Sequence, residues 1–307
     1  MKHLLPFVAI HLVCLGVIWV GVSWAAVIVA VVLYWVRMFV ITGFYHRYFS
    51  HRSFRTSRGM QALMAAVGTT TAQRGPMWWA AWHRHHHRHS DDHPDIHSPH
   101  WYGVLWSHMF WFNSDDGVAI DPSRVPDLMK FPELRLIERW HMLGPIGLAA
   151  AMFVLGWGLG KAGVNTSGAQ MLVWGFGVST VVLYHCTFTI NSLAHMWGGR
   201  RFKTKDDSRN NLALALVTMG EGWHNNHHYH PGSSRQGFYW WEIDVTWYIL
   251  WVMSKVGLVW DLRGVPERVY HAAEEHAARE TDPGMELHRK MKAARSRGRR
   301  AGEAHGR

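Results

Sequence analysis

Residues 4–45 read LLPFVAIHLVCLGVIWVGVSWAAVIVAVVLYWVRMFVITGFY, two apolar runs that contain one Arg and no Lys, Asp or Glu. A helix that crosses a bilayer needs roughly 20 mainly apolar residues. We therefore predict two membrane spans, at about 4–22 and 24–45, with a tight hairpin at Gly21–Ser23. A cleaved signal peptide would also explain the first run, but the second run follows at once, and this favours spans.

A second pair of apolar runs lies near the middle of the chain. These runs cover 143–159 and 171–193, and the segment GKAGVNTSGAQ separates them. Each run is long enough to predict a span. The predicted fold class is therefore an all-α integral membrane protein with four transmembrane helices in two hairpins.

The basic residues predict the orientation of these spans. The chain has 307 residues and a formal net charge of +10, yet the two inter-helix turns carry only one charge, Lys161. Nearly all Lys and Arg lie in 46–140 and 196–307. Because cytoplasmic segments of membrane proteins are enriched in Lys and Arg, both termini are predicted to be cytoplasmic. The expected location is an inner, or cytoplasmic, membrane if the protein is bacterial.

Two domains follow from this distribution. Residues 1–265 are predicted to form a membrane domain with cytoplasmic parts at 46–140 and 196–265. Residues 266–307 read as a basic, partly disordered tail. The positive charge alone would also suit nucleic-acid binding, but four spans without a recognisable reading module argue against a nucleic-acid partner.

Two further apolar segments are interrupted by polar residues. Gly59–Trp82 contains Arg74 and Pro76, and Gly237–Trp260 contains charged residues among many Trp and Tyr. Aromatic rings favour the headgroup level of a bilayer. Both segments are therefore predicted to be interfacial or re-entrant helices.

The chain contains 24 histidines, and the sequence HRHHH at 83–87 is the densest group. A helix turns about 100° per residue, so side chains at i, i+3 and i+4 share a face. His83, His86 and His87 are therefore predicted to point one way. His85 and His89 are predicted to face away from them.

The same spacing recurs in GEGWHNNHH, where His224, His227 and His228 form a second triplet. HRYFSH adds His46 and His51, whose i,i+5 spacing predicts either contacts with different metals or a loosened helix end. NSLAH adds His195, predicted to share a helical face with Asn191. Imidazole is a good ligand for Fe, Zn, Cu and Ni, and nine such side chains exceed the needs of one ion. The chain is therefore expected to hold two metal ions on its cytoplasmic side.

Two Glu-x-x-His pairs, Glu138/His141 and Glu221/His224, resemble the spacing of carboxylate-bridged di-iron bundles. No set of facing helices supplies the other carboxylates, so we reject such a site and expect Glu221 at most to contact a ligand. The two cysteines, Cys14 and Cys186, lie in apolar runs and predict no disulfide framework.

The four motifs HRYFSH, HRHHH, NSLAH and GEGWHNNHH, in this order, resemble those of the membrane fatty acid desaturase family. The similarity is to its Δ9 acyl branch, the stearoyl-CoA desaturase-like proteins, and runs from about Val20 to Val265. The resemblance implies two iron ions and no catalytic residue beyond the metal ligands, with Asn191 reaching one iron through water. The implied histidine ligands are His46, His51, His83, His86, His87, His195, His224, His227 and His228.

The resemblance also implies the reaction and the partners. Family members use O2 and two electrons from a small redox protein, such as a cytochrome b5-, ferredoxin- or rubredoxin-like donor, to form a cis double bond in a fatty acyl chain. The residues implied to line the acyl channel are Gln73, Trp79, Thr187 and Phe188. Three carboxylates after the second motif could orient ligand imidazoles through their second nitrogen or could be solvated loop charges. These are Asp91, Asp92 and Asp95.

One feature departs from the family pattern. Relatives that use acyl-CoA have a basic and an acidic residue before the second motif, where this chain has Ala81 and Trp82. The acyl carrier is therefore open among CoA, a phospholipid and a carrier protein. Two other functions also remain, a membrane hydroxylase of alkyl or acyl chains and a metal transporter.

Overall fold

The computed structural model describes residues 3–277, without the side chains of 274–277. Three of the described helices are long and apolar enough to cross a membrane: Trp24–Ser50, Leu143–Lys161 and Gly168–His195. The first predicted span corresponds to a shorter apolar helix, Leu5–Val20. Apolar side chains on these helices face outward, as on Val154, which is 61% exposed. An exposed apolar surface of this extent suits a bilayer.

The long helices are not uniform. Helices α1 (Leu5–Cys14) and α2 (Val17–Val20) form the short apolar helix. Helix α3 (Trp24–Phe39) continues without a break as a π-helix over Val40–Ser50, so the second span runs past its predicted end at residue 45. The remaining long helices are listed in chain order: α9 (Leu143–Lys161), α10 (Gly168–Met171), the π-helix Leu172–Val178, α11 (Ser179–Asn191) and the 3-10 turn Leu193–His195.

The two predicted hairpin turns lie side by side. Ser23 caps α3 by accepting a hydrogen bond from the amide of Ala26, as a serine N-cap should. Its hydroxyl also donates to Oε1 of Gln170 at 2.6 Å. The side-chain Nε2 of Gln170 donates to the carbonyl of Val20 at 2.9 Å. These bonds join the two hairpins at one end of the bundle, so the histidine-bearing ends meet at the other.

The segments between and after the spans form shorter elements. The first predicted interfacial segment, Gly59–Trp82, forms parts of two helices joined by a loop. These helices are α4 (Arg58–Thr69) and α5 (Pro76–His89). Helix α14 (Val245–Lys255) occupies the second. The other helices are α6 (Pro99–Tyr102), the π-helix Trp106–Phe110, the 3-10 turns Trp111–Asn113 and Pro122–Arg124, α7 (Asp115–Val118), α8 (Pro132–Arg139), α12 (Leu212–Val217), α13 (His224–Tyr229) and α15 (Glu267–Ala277).

A small ribbon departs from the predicted all-α class. Strand β1 (Arg55–Thr56) pairs antiparallel with β2 (Val259–Trp260), with Arg55 opposite Trp260. Because the two strands are far apart in sequence, the ribbon ties the segment after the second span to the segment after α14. The chain is thus mostly helical rather than entirely so.

The main core lies where the second span leaves the bundle. It packs the π-helix Val40–Ser50 against α4, α5 and α14, and α8 packs against α4 and α5. Its buried side chains include Tyr45, Phe49, Met64, Met77, Leu128 and Leu250. This core fixes α5 beside the π-helix, so the histidines of the two elements meet.

The beginning of the predicted tail is a packed helix. In α15, Val269 and Ala273 are buried against Phe202 and Phe238. The hydroxyl of Tyr270 donates to the carbonyl of Phe238 at 2.9 Å. The rest of the predicted tail, residues 278–307, lies outside the described residues.

Candidate metal centre and adjoining cavity

All nine predicted histidine ligands converge at one end of the long helices, in two clusters. Within each cluster one ligand nitrogen from every member lies within 4.8 Å of all the others. The first cluster contains His46, His51, His83, His87 and His227. The second cluster contains His86, His195, His224 and His228. Each cluster has enough imidazole nitrogens to hold a metal ion.

The π-helix explains how His46 and His51 reach the same cluster. In an α-helix, residues five apart point about 140° apart. Here the amide of His51 donates to the carbonyl of His46 at 3.2 Å, an i→i+5 bond that brings residues five apart nearly into register. His46 and His51 therefore lie in one cluster, on a helix end whose turns are wider than those of an α-helix.

Helix α5 divides its histidines as the helical spacing predicts. His83 and His87 join the first cluster, and His86 joins the second. His85 faces away and lies with Nε2 2.9 Å from the carbonyl of Pro94. The ring of His89 packs on that of His85 at 4.7 Å between centroids.

The second triplet is also divided between the two clusters, with one histidine in the first cluster and two in the second. Helix α13 gives His227 to the first cluster, and His224 and His228 to the second. Asn191 and His195 do not share one helical face as predicted. Helix α11 ends at Asn191, and His195 lies in the following 3-10 turn.

The five nitrogens of the first cluster cannot all be satisfied by one another. The Nε2 atoms form a chain of contacts, His46–His227 at 2.9 Å, His227–His87 at 2.9 Å, His87–His83 at 3.0 Å and His83–His51 at 2.7 Å. A neutral imidazole nitrogen either donates one hydrogen bond or accepts one. The three inner nitrogens have two contacts each, so hydrogen bonding does not account for the arrangement. Two nitrogens at right angles on one ion, each about 2.1 Å from it, would lie about 3.0 Å apart.

Carboxylates contact the outer nitrogens of four of the nine histidines. The pairs, each through Nδ1, are His46 with Glu221, His86 with Asp95 at 2.8 Å, His195 with Asp91 at 2.7 Å and His228 with Asp206 at 2.8 Å. A proton held on Nδ1 leaves the Nε2 lone pair free for a metal. The buried Nε2 of His228 has no hydrogen-bond partner among the described residues. The donor set therefore fits a metal ion.

Two of the three predicted orienting carboxylates make this contact. Asp91 and Asp95 bind His195 and His86, whereas Asp92 is exposed. Asp206 was not predicted, because it lies in the polar segment KTKDDSRN at 203–210, apart from any histidine motif. Only the folded chain brings this segment to His228.

The ionisation of the clusters suits metal binding. Burial would raise the pKa of Asp91, Asp95 and Asp206, but their histidine contacts outweigh it, and all three pKa values fall below the usual range. Burial and the charges of neighbouring histidines hold the pKa of His83 and His224 well below 6.5. These imidazoles are thus neutral near pH 7, as metal ligands must be.

The two Glu-x-x-His pairs have different environments. Glu221 is buried beside His46 and accepts a hydrogen bond from Arg47 at 3.1 Å, in agreement with its expected place behind a ligand. The carboxylate of Glu138 instead accepts from the amides of Met77 and Trp78 at 2.7 and 3.2 Å, at the start of α5. Burial raises the pKa of Glu138 to about 7. The rejection of a carboxylate-bridged site agrees with both positions.

A cavity of about 400 Å³ adjoins the histidines. Aromatic side chains such as Trp111, Phe112 and Tyr184 form much of its wall. All four predicted channel residues also line it: Gln73, Trp79, Thr187 and Phe188. A smaller cavity of about 40 Å³ lies between the histidine clusters and shares four residues with the larger one: Trp79, His83, Thr187 and Asn191. The large cavity therefore leads directly to the clusters.

One buried histidine near the site was not predicted. His97 is 4% exposed, lines the large cavity and stacks on Trp111 with 4.7 Å between ring centroids. Its Nδ1 lies 3.1 Å from the Asp95 carboxylate that also holds His86. The only sequence signal was its place in the histidine-rich segment after the second motif, which did not distinguish it from its neighbours.

Comparison with known proteins agrees with this geometry. The family model described as "Fatty acid desaturase" matches residues 22–264, well over half of the chain. The chain is 37% identical to the palmitoyl-monogalactosyldiacylglycerol delta-7 desaturase of Arabidopsis thaliana, over 69% of this chain and 54% of the relative. It is 35% identical to the acyl-CoA C20 Delta5-desaturase of Anemone leveillei (71% and 67%) and 34% identical to the sn-2 palmitoyl-lipid 9-desaturase of Nostoc sp. (strain 36) (67% and 70%).

The matched part spans about half to two thirds of the length of the first two of these relatives. Within this chain the family model covers all four histidine motifs and every residue of the two clusters. The chain therefore belongs to the fatty acid desaturase family.

Proposed function

We propose that the protein is an O2-dependent acyl desaturase that forms a cis double bond, at the Δ9 position, in a saturated fatty acyl chain. The observation that carries the proposal is the junction of two histidine clusters with a largely apolar cavity. Methylene hydrogens are inert to acid–base catalysis, so the reaction needs a redox cofactor that the histidines hold and an apolar cavity that places the chain beside it.

The proposed cofactor is a pair of iron ions. The ligands would be His46, His51, His83, His87 and His227 for one ion and His86, His195, His224 and His228 for the other, with Asn191 acting through water. When bound, the pair supplies the redox chemistry with O2 that unactivated C–H bonds require. Overall, two hydrogens from adjacent methylenes, O2, two protons and two electrons give one double bond and two waters.

The chain's own residues prepare this reaction. Glu221, Asp91, Asp95 and Asp206 hold ligand imidazoles in one orientation. Gln73, Trp79, Thr187 and Phe188 would contact the acyl chain. The aromatic wall of the cavity keeps water away from the reacting carbons.

The proposal includes a multi-pass topology with four spans, of which Leu5–Val20 is the first. Its support is the packing of α1 on the last long helix, where Nε2 of His11 lies 3.1 Å from Nε2 of His185. The concentration of Lys and Arg outside the spans supports cytoplasmic termini and a cytoplasmic metal centre.

The partners would be an acyl substrate and a small electron-transfer protein. The carrier of the acyl chain is CoA, a phospholipid or a carrier protein. Trp82, at the position where acyl-CoA-using relatives have an acidic residue, lines the cavity and donates through Nε1 to the carbonyl of Ala119 at 3.0 Å. Its packing role there favours a carrier other than CoA.

Expression in cells that lack their own Δ9 desaturation tests the proposal. Lipid analysis should reveal Δ9-unsaturated chains with the wild-type protein and none with His227→Ala. His89→Ala, on α5 but facing away from both clusters, is the matched control and should retain the product. Membrane insertion of all three proteins is checked by fractionation.

Two results would overturn the proposal. Hydroxylated lipid without unsaturated chains would identify a hydroxylase. Tightly bound zinc without iron, in protein purified after iron-replete expression and inactive towards lipid, would favour a transporter. About two irons per chain in the wild-type protein, reduced in His227→Ala but not in His89→Ala, supports the di-iron site.

A further inference from the structure

The loop Thr70–Gly75 connects α4 to α5 and forms part of the wall of the large cavity. Two of its residues have positive φ although neither is glycine: Ala72 at 58° and Arg74 at 64°. Side chains other than glycine rarely adopt this conformation. It persists only where the surroundings hold it, and such positions concentrate at functional sites.

Three side chains hold this loop by alternate carbonyl groups. The guanidinium of Arg37 donates to the carbonyl of Thr70 at 3.3 Å. The hydroxyl of Tyr184 donates to the carbonyl of Ala72 at 2.7 Å, and that of Tyr45 donates to the carbonyl of Arg74 at 3.1 Å. The three donors come from the second and the last long helices, so the loop is fixed to both.

Arg37 is the most unusual member of this set. It is 2% exposed within a membrane-spanning helix. Its other hydrogen bonds go to uncharged acceptors, Oγ1 of Thr180 at 2.8 Å, Oγ of Ser179 at 2.6 Å and the carbonyl of Leu33 at 3.2 Å. Ionisable residues inside a membrane are costly and mark function by default. The planar guanidinium presents its donors in a rigid fork and serves both helix α11 and the loop.

The residue that the loop presents is Gln73, between the two left-handed residues. Its side chain lines the large cavity and accepts a hydrogen bond from Nε1 of Trp79 at 3.3 Å. Its Nε2 is buried and has no hydrogen-bond partner among the described residues. A buried unpaired amide requires an explanation. Trp79 also lines the small cavity between the histidine clusters, so Gln73 lies close to where the acyl chain would react.

We propose that Arg37, Tyr45 and Tyr184 are positioning residues that hold the Thr70–Gly75 loop in its strained conformation and so fix Gln73 against the acyl chain. The position of Gln73 determines how far the chain advances past Trp79, and therefore which pair of carbons reaches the metal centre. The inference rests on the proposed desaturase function and adds a determinant of double-bond position to it.

Tyr184→Phe tests the inference with the smallest change, since it removes only the hydroxyl that binds Ala72. Arg37→Gln is the second variant. The matched control is Tyr34→Phe, which removes a hydroxyl in the same bundle that donates to the carbonyl of Val217, outside the loop. Two measurements are made on each protein: amide hydrogen exchange of residues 70–75 in purified protein, and the positions of double bonds in the lipids of the expressing cells.

Loss of one hydrogen bond typically shifts a local equilibrium by about five-fold. We therefore expect exchange in the loop to rise by about that factor in Tyr184→Phe and Arg37→Gln but not in Tyr34→Phe. Isomers with neighbouring double-bond positions should increase by a similar factor in the first two proteins only. A general loss of stability would reduce the amount of product without changing its isomers.

Two outcomes overturn the inference. If loop exchange in both Tyr184→Phe and Arg37→Gln equals that of wild type, these side chains do not hold the loop. If exchange rises while the isomers stay unchanged, the loop does not set the double-bond position. Absence of unsaturated product in the wild type would instead refute the proposed function, and the exchange measurement would still decide whether the loop is held.

Discussion

His46 and His51, five residues apart at the end of the second span, lie in the same histidine cluster because the helix between them is a π-helix. The wider turn points both imidazoles at His83, whose ring centroid is 4.3 Å from that of His46 and 4.8 Å from that of His51. An α-helix would have directed one of them away. The geometry of the first cluster therefore depends on an unusual backbone as much as on the histidines.

The first prediction concerns Asp206, whose carboxylate holds Nδ1 of His228 at 2.8 Å. Loss of such a partner typically lowers metal affinity by about 10- to 100-fold. Asp206→Asn should therefore lose metal from the second cluster at lower chelator concentrations than wild type. Metal content after titration with a chelator measures the effect.

The neighbouring residue supplies the control. Asp207 pairs with Arg200 at 3.5 Å, and its side chain is 46% exposed. Asp207→Asn should retain metal as wild type does. Equal metal loss in the two variants would show that the charge of the loop, rather than the contact with His228, governs retention.

The sequence predicted the histidine set well because helical spacing is local. His83, His86 and His87 needed only the 100° turn of an α-helix, and α5 adopts it. At His46 and His51 the spacing left two alternatives open, because nothing in HRYFSH singles out a π-helix. The helical rule failed at Asn191 and His195, because the chain leaves the α-helix between them.

Contacts between distant segments could not be predicted from spacing. Asp206 and His97 reach the site only through the folding of loops. Ala72 and Arg74 have positive φ, which the sequence does not indicate because neither residue is glycine. The first predicted span, 4–22, corresponds to a helix of only Leu5–Val20, which is shorter than the three candidate spans. Local periodicity thus predicted the two histidine triplets, whereas tertiary contacts determine which carboxylates lie beside them.

The second prediction concerns the buried charges behind His46. Glu221 is 5% exposed and accepts hydrogen bonds from Arg47 and from Nε2 of Gln236, both at 3.1 Å. Removing one partner of a buried ion pair costs about 3–5 kcal/mol, because the other charge remains buried. Arg47 keeps a second buried partner, Asp244, at 2.9 Å, so Glu221→Gln should lower the free energy of unfolding of metal-free protein by about 3 kcal/mol at most, as measured by thermal or denaturant unfolding in detergent.

A surface pair provides the comparison. Glu133 binds Arg58 at 2.7 Å, but the Arg58 side chain is 66% exposed. Solvent screens such a pair, so Glu133→Gln should unfold at nearly the wild-type temperature. Similar destabilisation by the two substitutions would contradict the role given to burial.

The third prediction is a loss of stability in acid for metal-free protein. Burial and neighbouring histidine charges hold the pKa of His51, His87 and His224 well below 6.5, and they lower that of His228 to about 4. In the unfolded chain each histidine has a pKa near 6.5. As the pH falls from about 6.5 towards 4, the unfolded chain binds protons that the folded chain does not, so the free energy of unfolding decreases.

Each such histidine contributes at most about 1.4 kcal/mol per pH unit to this slope. His224→Gln should therefore flatten the pH dependence of the unfolding temperature between pH 5 and 6.5. His89→Gln, which changes a histidine outside both clusters, should not. Parallel curves for wild type and His224→Gln would show that His224 is not held neutral by its surroundings.

The last prediction concerns the close approach of Gly75 to Glu138 at the start of α5. A Cβ at Gly75 would lie 2.3 Å from one carboxylate oxygen of Glu138 and 2.7 Å from the other. Gly75→Ala should displace the carboxylate from the amides of Met77 and Trp78 and destabilise the protein by about 1–3 kcal/mol. Gly59, within α4, has no neighbour within 4 Å of its Cβ position. Gly59→Ala should instead stabilise the protein by about 0.5–1 kcal/mol. If the two substitutions changed the unfolding temperature equally, helix propensity rather than the space needed by Glu138 would account for the effect of Gly75→Ala.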